Sequence, residues 1–278
     1  MSTFYESNVT AYIAQLATEE KSRSTRDQYE RNIHNFLNFS EGKELTKELI
    51  ITYKAELQTR YRPSTVNVIL AALNGFFEYL NRADLKVRLL KIQRAPYCSR
   101  RKELTRVEYL RLVQAARKQD NDRIATILQT ICSTGIRVSE LKYITAEAVN
   151  RGEAVIQLKG KIRVILIPGK LKKLLRTYMK RHNIRNGSVF VSRNGNPLDR
   201  SNIWKMMKSL SKEAGVIPDK IYPHNLRHLF ARAFYRIEKD IAKLADILGH
   251  SSINTTRIYI VSTGTEHRRY MDALEFVI

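Results

Sequence analysis

Cysteine is scarce in this chain of 278 residues, and its scarcity excludes a disulfide-stapled scaffold. The two cysteines are Cys98 and Cys132, and nothing in their spacing indicates a disulfide. Cys132 lies in an apolar helical run, which predicts a buried, reduced thiol. No cluster of cysteines and histidines has the spacing of metal ligands, so the sequence predicts no metal site.

Long apolar runs and glycine-rich loops are missing as well. No segment predicts a membrane-spanning helix, and residues 1–20 are polar and acidic where a signal peptide would be apolar. We therefore expect a soluble, cytoplasmic protein without membrane contact. The glycines that could cradle a nucleotide phosphate stand alone: Gly135, Gly160, Gly187 and Gly195.

Acidic residues are outnumbered. The chain has 49 Lys and Arg against 27 Asp and Glu, which gives a formal net charge of +22. Residues 1–94 carry 14 basic and 11 acidic side chains, a net of +3, and residues 95–278 carry 35 and 16, a net of +19. This excess predicts salt-dependent binding to a polyanion, mainly by the second part of the chain.

From Tyr5 to about Arg82 the sequence has a helical pattern throughout, because apolar residues recur at three- and four-residue spacing. We predict four helices: one over Tyr5 to Glu19 and three more that start at Ser24-Thr25, at Thr46 and at Pro63-Ser64. Four helices with short connections predict a small helical bundle over residues 1–90.

Residues 91–102 (K-I-Q-R-A-P-Y-C-S-R-R-K) predict a basic linker, since Pro96 interrupts a segment without apolar periodicity. The segment is either a solvated connector or a DNA contact. We favour DNA contact by Arg100, Arg101 and Lys102, because the charge of the linker suits a segment that crosses a phosphate backbone.

Residues 103–278 predict a second domain that is mainly helical with a small β-sheet. It opens with a capping box from Thr105 to Glu108. Two apolar runs, Ala154 to Leu158 and Val164 to Ile167, predict a hairpin with Lys159 and Lys161 at its tip, and Ser188 to Ser192 suggests a third strand. Later helices are predicted over Lys170 to His182, Arg200 to Ala214, His224 to Arg236 and Ile241 to Leu248, the last capped by Gly249.

Six polar residues in this domain form a set that suits attack on a phosphodiester by a side chain. Two guanidiniums can each grip a phosphate oxygen, and they stay charged at any working pH. A tyrosine can attack if cations and a proton acceptor activate it. The six residues are Arg137, Lys161, His224, Arg227, His250 and Tyr259.

The segments around these residues resemble the tyrosine recombinase family of phage-type integrases and Xer-type resolvases. They read T-G-I-R-V-S-E-L (134–141), L-K-G-K-I-R (158–163), H-N-L-R-H (224–228) and L-G-H-S-S-I-N-T-T-R-I-Y (248–259). The resemblance implies that Tyr259 is the nucleophile, that His224 and Arg227 form the His-x-x-Arg pair, and that residues 1–90 clamp the opposite face of the duplex. It does not decide which residue is the catalytic lysine of the family. We favour Lys161, and Lys159 is the alternative.

These roles predict a 3′-phosphotyrosyl intermediate that keeps the bond energy, so no cofactor is expected. We expect His224 to accept the tyrosine proton, His250 to bond the phosphate or share that role, and the lysine to protonate the leaving oxygen. Lys159 and Arg163 are further candidates for DNA contact. Two residues have a structural alternative: Glu140 either orients Arg137 or is a surface acid, and His228 is expected to point elsewhere and to support packing.

The favoured function is site-specific recombination, with type IB topoisomerase activity or a catalytically decayed DNA-binding regulator as alternatives. Recombination implies double-stranded DNA with inverted half-sites and a homotetramer in the synapse. We expect the protein to be a monomer when it is not bound to DNA. The apolar tail Met271 to Ile278 either docks onto a neighbouring protomer or packs on its own domain. Tyr270 and Tyr222 are weaker candidates for the nucleophile.

Overall fold

The computed structural model describes residues 2–41, 43–92, 103–158, 161–192, 194–260 and 271–274. The chain divides into two compact units, Met1–Arg94 and Ala95–Ile278. Both are mainly helical, and the sheet of the described residues has two strands. The predicted fold class, a helical bundle followed by a mainly helical domain with a small sheet, is confirmed.

The described part of the first unit contains four α-helices and a 3₁₀ helix: α1 (Ser2–Thr18), α2 (Arg23–Phe39), α3 (Lys47–Arg60), α4 (Pro63–Tyr79) and the 3₁₀ helix (Ala83–Leu85). Thr46 caps α3 through its side chain, and Pro63 occupies the first turn of α4, as the sequence predicts. Helix α2 begins slightly earlier than predicted. The hydroxyl of Ser22 accepts a bond from the Thr25 amide at 3.2 Å, so Ser22 is the cap and Ser24 lies within the first turn.

Apolar residues of α4 form the centre of this unit. Leu70, Leu73, Phe76 and Phe77 are buried, and the Phe77 ring meets that of Phe36 at 5.7 Å in an edge-on contact. After α4 the chain returns along the helix. Asn74 pairs with both backbone groups of Val87, and Asn67 pairs likewise with Leu90.

The second unit begins with α5 (Arg106–Lys118), whose capping box joins Thr105 and Glu108 as predicted. The other elements are α6 (Asp122–Thr134), a 3₁₀ helix (Val138–Tyr143), α7 (Ala146–Arg151), β1 (Glu153–Leu158), β2 (Lys161–Leu166), α8 (Gly169–Arg181), α9 (Arg200–Ser209), α10 (Ser211–Ala214), a 3₁₀ helix (Pro218–Lys220), α11 (Pro223–Glu238), α12 (Ile241–Leu248) and α13 (Ile253–Ile260).

Strands β1 and β2 form the predicted antiparallel hairpin, with Val155 opposite Val164. Its inner face, including Ala154 and Ile165, is buried. Its outer face stays exposed despite being apolar, with Ile162 at 70% and Leu166 at 67% exposure.

Two sequence predictions in this unit are wrong. Residues 188–192 make isolated bridges, including one between Ser188 and Thr145, instead of a third strand. The helix predicted from Arg200 to Ala214 is broken at Leu210, which separates α9 from α10. Ser209 bonds back to the Met206 carbonyl at 2.9 Å, a local bond that competes with continuation of the helix.

Helix α6 lies at the centre of the main core of the second unit. Its Ile127, Leu128 and Ile131 are fully buried, and α5, α8 and α11 pack around it. Cys132 of this helix is free and partly buried, and burial raises the pKa of its thiol to about 12. Cys98 lies outside the described residues.

A second, smaller cluster joins α11, α12 and α13. Its buried members are Ala231, Leu244, Leu248 and Tyr259. Helix α12 ends at Gly249, which has a left-handed φ of +62° and caps the helix as predicted. The next helix, α13, therefore turns back and carries Tyr259 toward α11.

Candidate active site

Five of the six predicted residues come together where α11, α12 and α13 meet the loop after α6. Arg137 precedes a 3₁₀ helix, His224 and Arg227 lie in the first turns of α11, His250 follows α12, and Tyr259 lies in α13. The sixth, Lys161, is the first residue of β2 at the end of the hairpin. Lys159 lies outside the described residues.

Gly135 determines where Arg137 emerges. It ends α6 with a φ of +63°, and a Cβ there would lie 2.4 Å from a ring carbon of Phe230. Only glycine fits both the conformation and the space. The chain therefore turns tightly, and Arg137 follows two residues later at the start of the 3₁₀ helix, its side chain partly exposed.

Glu140 is a buried carboxylate that holds two arginines. One oxygen accepts a bond from Arg137 Nη1 at 2.8 Å, and the other accepts from Arg163 Nη1 at 2.9 Å and from the Arg137 amide at 3.0 Å. Burial excludes the interpretation of Glu140 as a surface acid. The contact with Arg137 fits the alternative, in which Glu140 orients that guanidinium.

Arg227 is 1% exposed, which is unusual for an arginine. Its Nη1 donates to the Gly135 carbonyl, and its Nη2 donates to the Leu248 carbonyl at 2.7 Å and contacts His250 Nε2 at 2.9 Å. Its Nε has no hydrogen-bond partner among the described residues. Burial and the nearby Arg137 lower its pKa, but a guanidinium stays charged at neutral pH.

The bonds of His250 define its tautomer. Because Arg227 can only donate, His250 Nε2 must accept, and the proton lies on Nδ1, which donates to Thr256 Oγ1 at 2.9 Å. Burial, followed by the charges of Arg227 and Arg137, lowers the pKa of His250 to about 4. His250 is thus neutral at pH 7, and both of its nitrogens orient neighbours in this structure.

Tyr259 is held by three histidines. It is 3% exposed, its hydroxyl lies 3.2 Å from His224 Nε2, and its ring stacks on His250 with centroids 5.4 Å apart. The His228 ring meets Tyr259 edge-on at 4.3 Å. The expectation that His228 points elsewhere is therefore wrong, because residues four apart share a helix face and place both His224 and His228 toward α13.

His224 is the histidine that faces the nucleophilic oxygen. Its pKa is lowered by partial desolvation, then by the charges of Arg227, Arg137 and Arg200. The ring still reaches solvent. A neutral imidazole at this position can accept a proton from Tyr259. Tyr222 caps the start of α11 and is half-buried, and Tyr270 lies outside the described residues.

The expected DNA contact of Arg163 does not fit its position. Its side chain is 10% exposed and is bonded to Glu140 and, through Nε and Nη2, to the Ile247 carbonyl at 3.2 and 2.9 Å. In the sequence, only the charge of Arg163 indicates a function. The other candidates for DNA contact, Lys159, Arg100, Arg101 and Lys102, lie outside the described residues.

Two family models together match most of this chain. Residues 102–266 match the phage integrase family, and residues 6–87 match the phage integrase N-terminal SAM-like domain. The chain is 30% identical over 254 residues to tyrosine recombinase XerA of Pyrococcus furiosus, a match that covers 88% of this chain and 85% of that protein. It is 29% identical to tyrosine recombinase XerD of Halalkalibacterium halodurans, over 89% and 90%.

Solved structures share the fold. A lambda integrase (75–356) dimer bound to a COC′ core site matches 91% of this chain and 94% of that chain, with a TM-score of 0.73 and 20% identity. A crystal structure of XerA recombinase matches 98% and 99%, with a TM-score of 0.54 and 26% identity.

The chain therefore belongs to the phage integrase family, and the predicted class, a tyrosine recombinase of the Xer type, is confirmed. The enzyme class follows, because the members of this family transfer DNA strands. Topoisomerase activity and a decayed regulator are not favoured. Among the described residues, no helix is long and apolar enough to cross a bilayer.

Proposed function

We propose that this chain is a site-specific DNA recombinase in which Tyr259 attacks the scissile phosphate and forms a 3′-phosphotyrosyl bond. The observation that carries the proposal is the position of the Tyr259 hydroxyl, 3.2 Å from His224 and within a cluster of arginines. His224 accepts the phenol proton as the tyrosine attacks. The covalent bond conserves the phosphoryl linkage, so the reverse attack by a DNA hydroxyl rejoins strands without a cofactor.

Arg137 and Arg227 neutralise the phosphoryl oxygens in the transition state. Support comes from their fixed positions: Arg227 is tied to the Gly135 and Leu248 carbonyls, and Arg137 to Glu140 and, at 3.1 Å, to the Gly249 carbonyl. Donors that are already oriented cost little reorganisation when charge develops. His250 contributes by accepting a bond from Arg227 and by stacking on Tyr259, and a phosphate bond to its ring would require Arg227 to release Nε2.

Attack occurs within one protomer. Support comes from the Tyr259 hydroxyl, which lies 3.2 Å from His224 of its own chain. The hydroxyl can keep its contact with His224, which takes the proton, while the Tyr259 oxygen attacks the phosphorus atom. A tyrosine donated by a neighbouring protomer would have to displace this one.

A lysine of the hairpin protonates the leaving 5′-oxygen. We favour Lys161, the first residue of β2, over Lys159, which follows β1 in the sequence. A cation on a β-ribbon tip can enter a groove of the duplex.

The assembly we propose follows from the charge and from structures of similar fold. Residues 1–90 and 103–278 clamp double-stranded DNA at inverted half-sites, and the linker 91–102, with Arg100, Arg101 and Lys102, tracks the backbone. A lambda integrase tetramer bound to a Holliday junction, with a TM-score of 0.74 and 19% identity, supports a homotetramer in the synapse built from monomers. The enzyme acts in the cytoplasm, where its DNA lies.

The tail contributes to that assembly. Met271 and Leu274 are exposed, and residues 275–278 lie outside the described residues. Exposed apolar side chains next to a strongly basic domain suit a docking site on a neighbouring protomer.

Trapping the covalent adduct tests the proposal. With a suicide substrate nicked beside the cleavage point, the wild-type protein should form a protein–DNA adduct visible on a denaturing gel. Tyr259→Phe should form none and should bind the half-site nearly as well, because it loses one hydroxyl and no cation. Tyr270→Phe is the matched control and should form the adduct. Adduct from Tyr259→Phe at the wild-type level would contradict the assignment.

The lysine can be identified by changing the leaving group. A 5′-bridging phosphorothiolate leaves without a proton, so it restores cleavage to a variant that lacks the general acid. We expect rescue of Lys161→Ala and no rescue of Lys159→Ala. The reverse result would assign the acid to Lys159.

A further inference from the structure

Arg163 connects the hairpin to two distant parts of the second unit. It lies in β2 opposite Ile156 of β1, and its guanidinium bonds the Ile247 carbonyl through two nitrogens and the Glu140 carboxylate through a third. Both partners are far away in sequence. With 10% of its side chain exposed, Arg163 has little surface left for DNA.

The bonds of Arg163 belong to a larger pattern at the end of α12. Three consecutive carbonyls, those of Ile247, Leu248 and Gly249, accept bonds from Arg163, Arg227 and Arg137 respectively. The last carbonyls of a helix lack intrahelical donors and carry the negative end of its dipole, so they attract cations. The end of α12 thus holds three guanidiniums side by side, and Glu140 pairs with the outer two.

Gly249 shows how closely Arg163 is fitted. A Cβ on this residue would lie 2.3 Å from Arg163 Cδ and 2.8 Å from its Nε. The Arg163 side chain therefore occupies the space over the turn that leads to His250, and its stem packs against the backbone there.

We propose that Arg163 is a positioning residue for strand cleavage. Through Ile247 it fixes the turn that carries His250, and through Glu140 it fixes Arg137, so its loss misaligns the arginine clamp without removing a DNA contact. The role rests on the proposed function, because Arg137 and Arg227 are assumed to hold the phosphate. It differs from that function in naming a residue that never touches the substrate.

Arg163→Met keeps an apolar stem and removes the guanidinium. We expect single-turnover cleavage of the suicide substrate at saturating DNA to fall by about 10²-fold, since small misplacements of catalytic groups cost that much. Half-site affinity should stay within about threefold of wild type, because no phosphate contact is lost. Arg176→Met, which changes an exposed arginine of α8, is the control and should cleave normally.

The 5′-phosphorothiolate substrate separates two ways in which Arg163 could act. If it held the hairpin lysine in place, the sulfur leaving group would rescue Arg163→Met. We expect no rescue, because the arginine clamp is needed for either leaving group. Rescue, normal cleavage or a loss of affinity equal to the loss of rate would each overturn the proposal.

A measurement without DNA keeps the test independent of catalysis. Hydrogen exchange at the amides of Gly249 and His250, which bond back to α12 at Asp246 and Ala245, should speed up in Arg163→Met and stay unchanged in Arg176→Met. Unchanged exchange would show that Arg163 does not hold the turn. If the wild type made no adduct but exchange responded as expected, the proposed function would fail and the positioning contact would stand. Arg163→Lys retains the charge and provides a folded variant should Arg163→Met unfold.

Discussion

The core around α6 and the corner formed by α11, α12 and α13 are stabilised in different ways. Around α6, fully buried aliphatic side chains such as Ile127, Leu128 and Ile131 contact neighbouring helices on several sides. The corner has a small apolar cluster that includes Tyr259, and much of its order comes from hydrogen bonds between arginines and backbone carbonyls.

This difference indicates that the α6 core mainly stabilises the fold, whereas the corner mainly aligns the residues of the site. Apolar burial is strong but non-directional, whereas a guanidinium bonded to carbonyls is held at a defined angle and must be desolvated to be there. We therefore expect substitutions in the α6 core to change the free energy of unfolding, and substitutions in the corner to change the rate of cleavage first.

The largest effect should come from the two arginines of the clamp. Arg137→Ala and Arg227→Ala should each slow cleavage by about 10²- to 10³-fold, the typical cost of one lost transition-state donor. Only Arg227→Ala should also lower stability clearly, because it leaves the buried Gly135 and Leu248 carbonyls without their donor. Single-turnover cleavage and urea unfolding measure the two quantities, and cleavage by either variant within about threefold of wild type would remove it from the clamp.

A core substitution should give the opposite result. Leu128→Ala should lower the free energy of unfolding by about 2 to 5 kcal/mol, from lost burial and the cavity left behind. Cleavage by the folded fraction, measured well below the unfolding temperature, should stay near the wild-type rate. A large loss of rate with little loss of stability would show that α6 aligns the site directly.

The smallest effect concerns pH. Burial lowers the pKa of His228 and of His250 to about 4, so between about pH 6.5 and 4 the unfolded chain binds more protons than the folded one. Stability should therefore fall as the pH is lowered through this window, by at most about 1.4 kcal/mol per pH unit for each histidine. His228→Phe keeps a ring against Tyr259 but removes one titrating group. Its free energy of unfolding should therefore fall less steeply with decreasing pH than that of the wild type. Urea unfolding from pH 7 to 4.5 measures the free energy of unfolding of both proteins. Equal slopes against pH for the wild type and His228→Phe would contradict the prediction.

Local signals in the sequence predicted most of the framework. The Thr105 capping box, the Thr46 cap and the Gly249 turn depend on residues within a few positions of each other, and they appear in the structure as expected. The grouping of five site residues could also be predicted, although their roles remain predictions.

Long-range contacts could not be read in this way. Arg163 bonds a carbonyl 84 residues away, and a backbone carbonyl carries no mark in the sequence. Because the sequence does not reveal this partner, the positive charge of Arg163 predicts contact with DNA instead. The position of His228 differs in this respect, because its four-residue spacing from His224 is a local signal that indicates a shared helix face.

The exposed outer face of the hairpin has a consequence for how the free protein behaves at high concentration. Apolar side chains such as Ile162 and Leu166 lie there on a short two-stranded ribbon, a feature that promotes self-association. Such contacts strengthen in sulfate or phosphate salts, whereas assembly on DNA weakens as salt displaces the protein. The two kinds of oligomer should therefore respond to added salt in opposite directions, which distinguishes a synapse from an aggregate in one titration.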